Sequence, residues 1–267
     1  MIARSMLRVA ALTSVGLCRD VNEDTFTLLD LTTGGIVPEG SLPVSLKSTE
    51  AVLGVYDGCC HFPEGGSASH VVARIVAARL ATLPTGATED ELSRRLIDAV
   101  QAGHREVFTA NRDAGHCAGT TATVAAISGT DVRIVHIGDS RAYLFAGGQL
   151  RQVTEDDTLL RLAIASGRLT PEEIASFPHK NVITRALGLP EEMEVPPVTS
   201  LTLQAGDTLL LCTDGVWGLV DDVEIASILA THRDPSEACR VLIEAADKAG
   251  GQDNETAAIA LYEADPR

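Results

Sequence analysis

Ala51-Val-Leu-Gly-Val-Tyr56 is an apolar run that stops abruptly at Asp57-Gly58. A run of this length with β-branched and aromatic residues reads as a buried strand, and the Asp-Gly behind it reads as the turn that ends it. The same layout recurs at Asp207 to Cys212, which stops at Thr213-Asp214-Gly215, and in reverse at Asp253-Asn254, which precedes the strand Thr256 to Tyr262. A fourth acidic pair, Glu23-Asp24, stands immediately before the strand Thr25 to Leu31. Asp-Gly and Asp-Asn are ordinary turn chemistry, and any one of them alone carries nothing more. Four such acids at the tips of buried strands point instead to carboxylates delivered to a common rim, where sites are usually built.

Around these anchors, Leu7 to Val15 reads as a strand and Gly34 to Lys47 as a Gly/Pro-bearing loop. Helices are expected over Ser69 to Leu83 and Glu89 to Asn111, each with an apolar stripe at helical spacing. Strands follow at Gly119 to Ile127, Val132 to Ile137 and Arg141 to Phe145, with a hairpin turn at Gly147-Gly148. Helices are then expected over Glu155 to Arg168, Thr170 to Phe177, Val223 to Ala230 and Ser236 to Ala249. Strands in runs and helices in pairs favour an α+β layering over a β-α-β alternation. There is no internal repeat or linker, so one domain over 1–267 is expected.

The 267 residues are 45% hydrophobic and carry a net charge of −16, which suits a full core and argues against nucleic acid or an anionic membrane as partner. No apolar run reaches the roughly 18 to 20 residues of a membrane span. Arg4 and Arg8 ahead of Val9 to Leu17 and Cys18 imitate a secretion signal, but Leu17 is too large for the residue such a site wants before its Cys. The six cysteines are scattered and show no zinc spacing, which suits a reducing cytoplasm. G-x-G-x-x-G after the first strand and the P-loop motif are both missing, so a dedicated nucleotide cradle is not expected.

If the carboxylates converge, like charges about 5 Å apart at an effective dielectric near 20 repel by roughly 3 kcal/mol per pair. Only a cation offsets that. Oxygen donors without His or Cys suit Mg²⁺ or Mn²⁺.

The order of the motifs resembles the metal-dependent protein serine/threonine phosphatases of type 2C in their bacterial form. The matching segments are Arg19-Asp-Val-Asn-Glu23-Asp24, Val55-Tyr-Asp57-Gly58, Gly119-Thr-Thr, Ile137-Gly-Asp139-Ser-Arg141-Ala-Tyr-Leu, Asn181-Val-Ile-Thr-Arg-Ala-Leu-Gly188, Thr213-Asp214-Gly215 and Gly251-Gln-Asp253-Asn254. The resemblance implies a four-layer α-β-β-α sandwich, two central antiparallel sheets flanked by helices, with a two-metal centre at one end. It implies that Asp57 bridges two Mn²⁺ or Mg²⁺ ions, that Asp214 and Asp253 complete one, and that Glu23 or Asp24 with the Gly58 carbonyl serves the other. Asp139 matches an acid beside a third, weaker metal, with backbone capping as its alternative role. Arg19 matches the arginine that grips the phosphoryl group, and residues 155–188 match a flap beside the site. The implied partners are phosphoprotein substrates and a cognate Ser/Thr kinase.

The chain departs from the bacterial pattern at Asp57-Gly58-Cys59-Cys60-His61-Phe62, where Met-Gly-Gly-His usually follows Asp-Gly. His61 as a general acid and Cys59 or Cys60 as redox-sensitive thiols are open alternatives to plain loop filling. Trp217 reads as packing, with substrate contact as its alternative. A non-catalytic, phosphoprotein-binding scaffold and a two-metal hydrolase of small phosphoesters stand beside the phosphatase reading.

Overall fold

The computed structural model describes residues 5–38, 43–59, 67–84, 86–167, 169–175, 177–178, 180, 182–189 and 193–264. Two six-stranded antiparallel sheets dominate. The first contains, in spatial order, β11 (Gln149–Gln152), β10 (Arg141–Ala146), β13 (Thr208–Cys212), β14 (Glu255–Ala264), β1 (Ser5–Ser14) and β4 (Val44–Ser48). The second contains β12 (Thr199–Thr202), β9 (Asp131–Ile137), β8 (Ala122–Ser128), β5 (Glu50–Tyr56), β2 (Thr25–Asp30) and β3 (Gly35–Ile36). A third, two-stranded ladder joins β6 (Gly58–Cys59) to β7 (Gly119–Thr120).

The unbroken apolar runs follow from the layering, because strands covered on both faces have no polar side to show. Along β5, Leu53 and Val55 point between the sheets while Val52 and Tyr56 point to a helix layer. That layer is α1 (Ala68–Leu80) and α2 (Glu89–Ala114), which lay Val72, Val76, Leu96 and Val100 on the second sheet. On the outer face of the first sheet, α6 (Asp222–Thr231) and α7 (Pro235–Lys248) cover Ala10, Leu210 and Ile259. The four layers are those expected.

The helix ends are set locally. Thr88 Oγ1 accepts from Glu91 N–H, three acids fill the first turn of α2, and Gly115 ends it at φ 69°. Asp234 caps α7, with Pro235 in its first turn.

Three stretches differ from the expectation. The loop over Gly34 to Lys47 contains β4, which lies along β1 from Ala11↔Val44 to Leu7↔Ser48. Val44 and Leu46 pack inward, so period-two alternation was present beneath the Gly and Pro that frame it. The helix expected from Glu155 starts only at Leu159, because residues 155–158 are spent on ties to the β9–β10 turn; it is α3 (Leu159–Ala165), followed by α4 (Pro171–Ala175). A four-residue helix, α5 (Asp214–Trp217), follows β13 and is too short to leave a periodic signature.

Candidate metal centre

Five connections at one end of the two sheets bring distant acids together. The loop from β1 to β2 is fastened to the α7–β14 loop by Asn254. Its Oδ1 accepts from Glu23 N–H at 2.8 Å, and its Nδ2 donates to the carbonyls of Val15 and Val21, both at 3.0 Å. Leu17 and Cys18 N–H both donate to the Gly251 carbonyl, at 2.8 and 3.1 Å. The approach is close enough that a Cβ on Gly16, which sits at φ +72°, would lie 2.2 Å from the Asp253 carbonyl. Arg19 and Glu23 are thereby set beside Asp253.

Asp24 lies under this loop and is 2% exposed. Its Oδ2 accepts from the hydroxyls of Thr213 and Thr256, both at 2.8 Å, which ties β2 to the ends of β13 and β14. Glu23 faces the other way and lines the cleft, so the two neighbouring acids have different surroundings. Gly215, the second residue of α5, would meet the Asn254 carbonyl at 1.9 Å if it carried a Cβ.

The end of β5 is held from the β7–β8 junction. Asp57 N–H donates to Thr121 Oγ1 at 3.0 Å, and the Asp57 carbonyl accepts from Thr121 N–H and Thr120 Oγ1, both at 2.9 Å. Thr121 Oγ1 also hydrogen-bonds Ser140 Oγ at 2.7 Å, which fixes the turn that presents Asp139, itself 4% exposed. Gly58 fits against the Glu23 carbonyl, which also accepts a hydrogen bond from Ser69 Oγ.

Three adjoining hollows share these acids as walls. A cleft of about 550 Å³ is lined by Arg19, Glu23, Asp57, Gly58, Cys59 and Asp253 among others. One of about 340 Å³ has Asp57, Asp139 and Asp214 against Thr121, Val182 and Ile183. One of about 300 Å³ runs from Asp214 and Asp253 to Trp217 and Lys180. Asp57, Asp214 and Asp253 each stand between two of the three.

Burial and mutual repulsion govern the charge of this set. Burial, followed by the charges of Asp24, Asp214, Asp139 and Asp253, holds the Asp57 carboxyl well above the usual carboxylate range. Burial and Asp253 raise Asp214, opposed by a hydrogen bond with Asp57. Asp24 is pushed up to about 7 by burial, against the two threonine hydroxyls. Asp139 is pushed to about 7 by burial and then by Asp214 and Asp156. Arg19 moves the other way, its charge favoured first by the hydrogen bond to Asp253. Such a group of carboxylates is stable together only with protons or cations among them.

The donor chemistry fits hard divalent ions, since the carboxylates and the Gly58 carbonyl offer mainly oxygen, with the thiols of Cys18 and Cys59 beside them. Among the described residues no three or more His, Cys, Asp or Glu side chains are close enough together to hold a metal ion by themselves. The acids stand apart as cleft walls.

Other sequence-selected residues are accounted for as follows. Trp217 packs under Arg141, whose Cζ lies 3.4 Å from the ring centroid, and it also lines the third hollow. Cys59 lies on the cleft wall and Cys18 at its mouth, and no disulfide joins the five described cysteines. Cys60, His61, Phe62 and Asn181 lie outside the described residues. The sequence alone assigns no role to Asn254, Thr121, Thr213 and Thr256; their signal is a polar residue near an acid at a buried strand tip.

A double antiparallel sandwich with acids gathered at one end is the class of protein that the fold and the site define. Residues 17–255 match the family described as Protein phosphatase 2C, and the chain belongs to that family. It is 34% identical over 257 residues to the serine/threonine protein phosphatase PstP of Mycobacterium tuberculosis, covering 96% of this chain and 45% of that protein. It therefore spans about half the length of that relative. It is 32% identical over 221 residues to the serine/threonine phosphatase stp of Listeria monocytogenes, covering 82% of this chain and 86% of that protein. The crystal structure of the catalytic domain of PstP in complex with two manganese ions superposes with a TM-score of 0.76 at 32% identity, covering 97% of this chain and 99% of that one.

Proposed function

We propose that this chain is a Mn²⁺- or Mg²⁺-dependent phosphatase of phosphoserine and phosphothreonine in proteins. The observation that carries the reading is the gathering of Asp57, Asp139, Asp214 and Asp253 as shared walls of three adjoining hollows, one of which also holds Arg19. The kinship with PstP and stp, and the manganese pair in the PstP catalytic domain, support the same reading.

In this reading Asp57, between two hollows, bridges two ions; Asp214 and Asp253 complete one, and Glu23 with the Gly58 carbonyl serves the other. Asp24, sealed under Thr213 and Thr256, backs Glu23 from below. Asp139 serves a third ion. Bound ions of this kind supply an acidified water and neutralise phosphoryl oxygens. The protein's own part is to hold the acids in place and to orient the phosphoryl group with Arg19, whose planar fork suits its oxygens. Cys59 follows Gly58 on the cleft wall, and solvent is left to protonate the departing alcohol.

Residues 155–188 are assigned as the flap that selects phosphoproteins. Its two ends meet at Asp157, whose N–H donates to the Gly138 carbonyl, whose carbonyl accepts from Thr184 N–H, and whose carboxylate pairs with Arg185 at 3.2 Å. The natural substrates are assigned to a Ser/Thr kinase acting in the same compartment. No helix among the described residues is long and apolar enough to cross a membrane, and the lack of a disulfide among the described cysteines fits a reducing cytoplasm.

Purified protein supplied with Mn²⁺ should hydrolyse p-nitrophenyl phosphate and a phosphothreonine peptide, and a chelator should stop both. Metal-replete protein that stays inert while still binding phosphopeptide would replace the enzyme by a scaffold; a preference for nucleotides would move the substrate to small phosphoesters.

A further inference from the structure

α3 reads Leu-Leu-Arg-Leu-Ala-Ile-Ala, apolar at every position but one, and none of its residues is buried. A helix of this composition ordinarily turns its apolar stripe to a core. The same surplus shows across the surface. Among the described residues ten large apolar side chains are exposed, and seven of them fall in two segments: Val15, Leu17 and Val21 in the β1–β2 connection, and Leu159, Leu162, Ile164 and Val182 within residues 155–188. Both segments border the acids, since Val21 lines the cleft of Arg19 and Asp253, and Val182 lines the hollow of Asp57 and Asp214. Apolar surface gathered in one place and framed by polar groups marks an interaction site.

The third hollow joins this surface to the acids. From the walls Asp214 and Asp253 it runs past Trp217 and Leu219 to Leu160 in the first turn of α3, and a fourth hollow of about 350 Å³ continues from Leu160 to Ile164. Asp214 and Asp253 are assigned to metal, and Arg141 is paired with Asp156 at 2.7 Å. Between these committed charges Leu160, Trp217 and Leu219 are left for a ligand to touch, with Lys180 exposed at the rim. On the reading that this chain dephosphorylates proteins, we propose that the third hollow takes an apolar side chain flanking the phosphorylated residue, and that the apolar surface around that residue covers α3. The substrate class narrows to phosphoserine or phosphothreonine set among apolar neighbours. A phosphoprotein is the occupant because the strip starts at walls the hollow shares with the cleft, so a chain whose phosphoryl group lies beside Asp253 brings its next side chains toward Leu160.

The test compares phosphothreonine peptides of one length that carry Leu, Gln or Glu at each of the three positions on either side, with p-nitrophenyl phosphate alongside, all in Mn²⁺. At one or more flanking positions Leu should raise kcat/KM by about tenfold over Gln. Leu160→Asn should remove that preference and leave kcat and KM for p-nitrophenyl phosphate unaltered, because that substrate has no neighbouring residue. Equal rates for Leu and Gln at every position, or a preference that survives Leu160→Asn, overturns the proposal. A preference for Glu that Lys180→Gln removes would give the hollow to an acidic neighbour, and a dimer in sedimentation that Leu162→Asn dissociates would give α3 to a second copy; either result overturns it as well. Protein inert toward p-nitrophenyl phosphate at saturating Mn²⁺ would refute the phosphatase reading itself, and this inference with it. Should Leu160→Asn fold poorly by circular dichroism, the peptide series on the wild type decides alone.

Discussion

Arg19 Nη2 donates to Asp253 Oδ2 at 2.6 Å, so a group assigned to phosphate and a group assigned to metal hold each other across 234 positions of sequence. Both side chains are partly exposed, at 52% and 39%, and exposed pairs of this kind contribute less than about 1 kcal/mol. Arg19→Ala should therefore leave the denaturation midpoint almost unchanged while raising KM for a phosphopeptide by about tenfold or more, as expected for loss of a charged contact to phosphate. Steady-state kinetics beside urea unfolding separates the two effects. A large stability loss with unaltered KM would make Arg19 a structural clamp only.

Removing an acid from the cleft should act in the opposite direction. Asp57→Ala and Asp214→Ala are expected to lower kcat by about a thousandfold or more, the scale on which a missing catalytic group is felt. In chelator the same variants should melt no earlier than wild type, since each relieves repulsion within the buried set. Turnover and scanning calorimetry on the same preparations check both halves, and residual wild-type activity in either would remove that residue from the centre.

The raised carboxyls of Asp24 and Asp139, both near 7, set the pH dependence of the metal-free protein. Between about pH 4 and 7 the folded state retains protons that the unfolded chain has released, so stability falls as pH rises through that window. The loss is on the order of a few kcal/mol for each group. Melting temperature in chelator should decline from pH 5 to 8, Mn²⁺ should flatten the decline, and Asp139→Asn should reduce its slope. A melting temperature that climbs with pH would contradict the assignment of buried, protonated acids.

Arg141 is pinned by Asp156, with Nε at 3.0 Å from Oδ1 and Nη2 at 2.7 Å from Oδ2, while Nη1 donates to the Tyr143 hydroxyl at 2.9 Å. Its other face covers Trp217, the chain's single tryptophan. Arg141→Ala leaves a poorly exposed Asp156 without its partner and should cost about 3 kcal/mol. The change in indole fluorescence on unfolding reports the region directly. A loss below about 1 kcal/mol would show that solvent or Gln152, at 2.8 Å from Asp156, takes over the carboxylate.

What could be read from the sequence was whatever a strand writes locally. Double-faced strands such as β5 and β13 announce themselves as apolar runs, and the acids at their tips follow as punctuation. β4 was hidden because its alternation is framed by Gly and Pro, and α5 because four residues hold barely one turn. The fastening by Asn254 was invisible for another reason: its partners Val15, Val21 and Glu23 are remote in sequence, and one polar residue cannot name them. The allocation of Glu23 to the cleft and Asp24 to the threonines is equally non-local, since both stand in one unbroken polar turn.

The pairing of β1 with β14 along its whole length, from Ser5↔Ala264 to Ser14↔Glu255, places the earliest and latest strands of this domain side by side in the middle of a sheet. During translation, β1 leaves the ribosome long before its main partner exists, and contacts of such high sequence separation form slowly. Asp253 arrives with that partner. A polypeptide interrupted anywhere before it lacks both the central ladder and one wall of the acidic cleft, so abortive synthesis products never assemble that cleft.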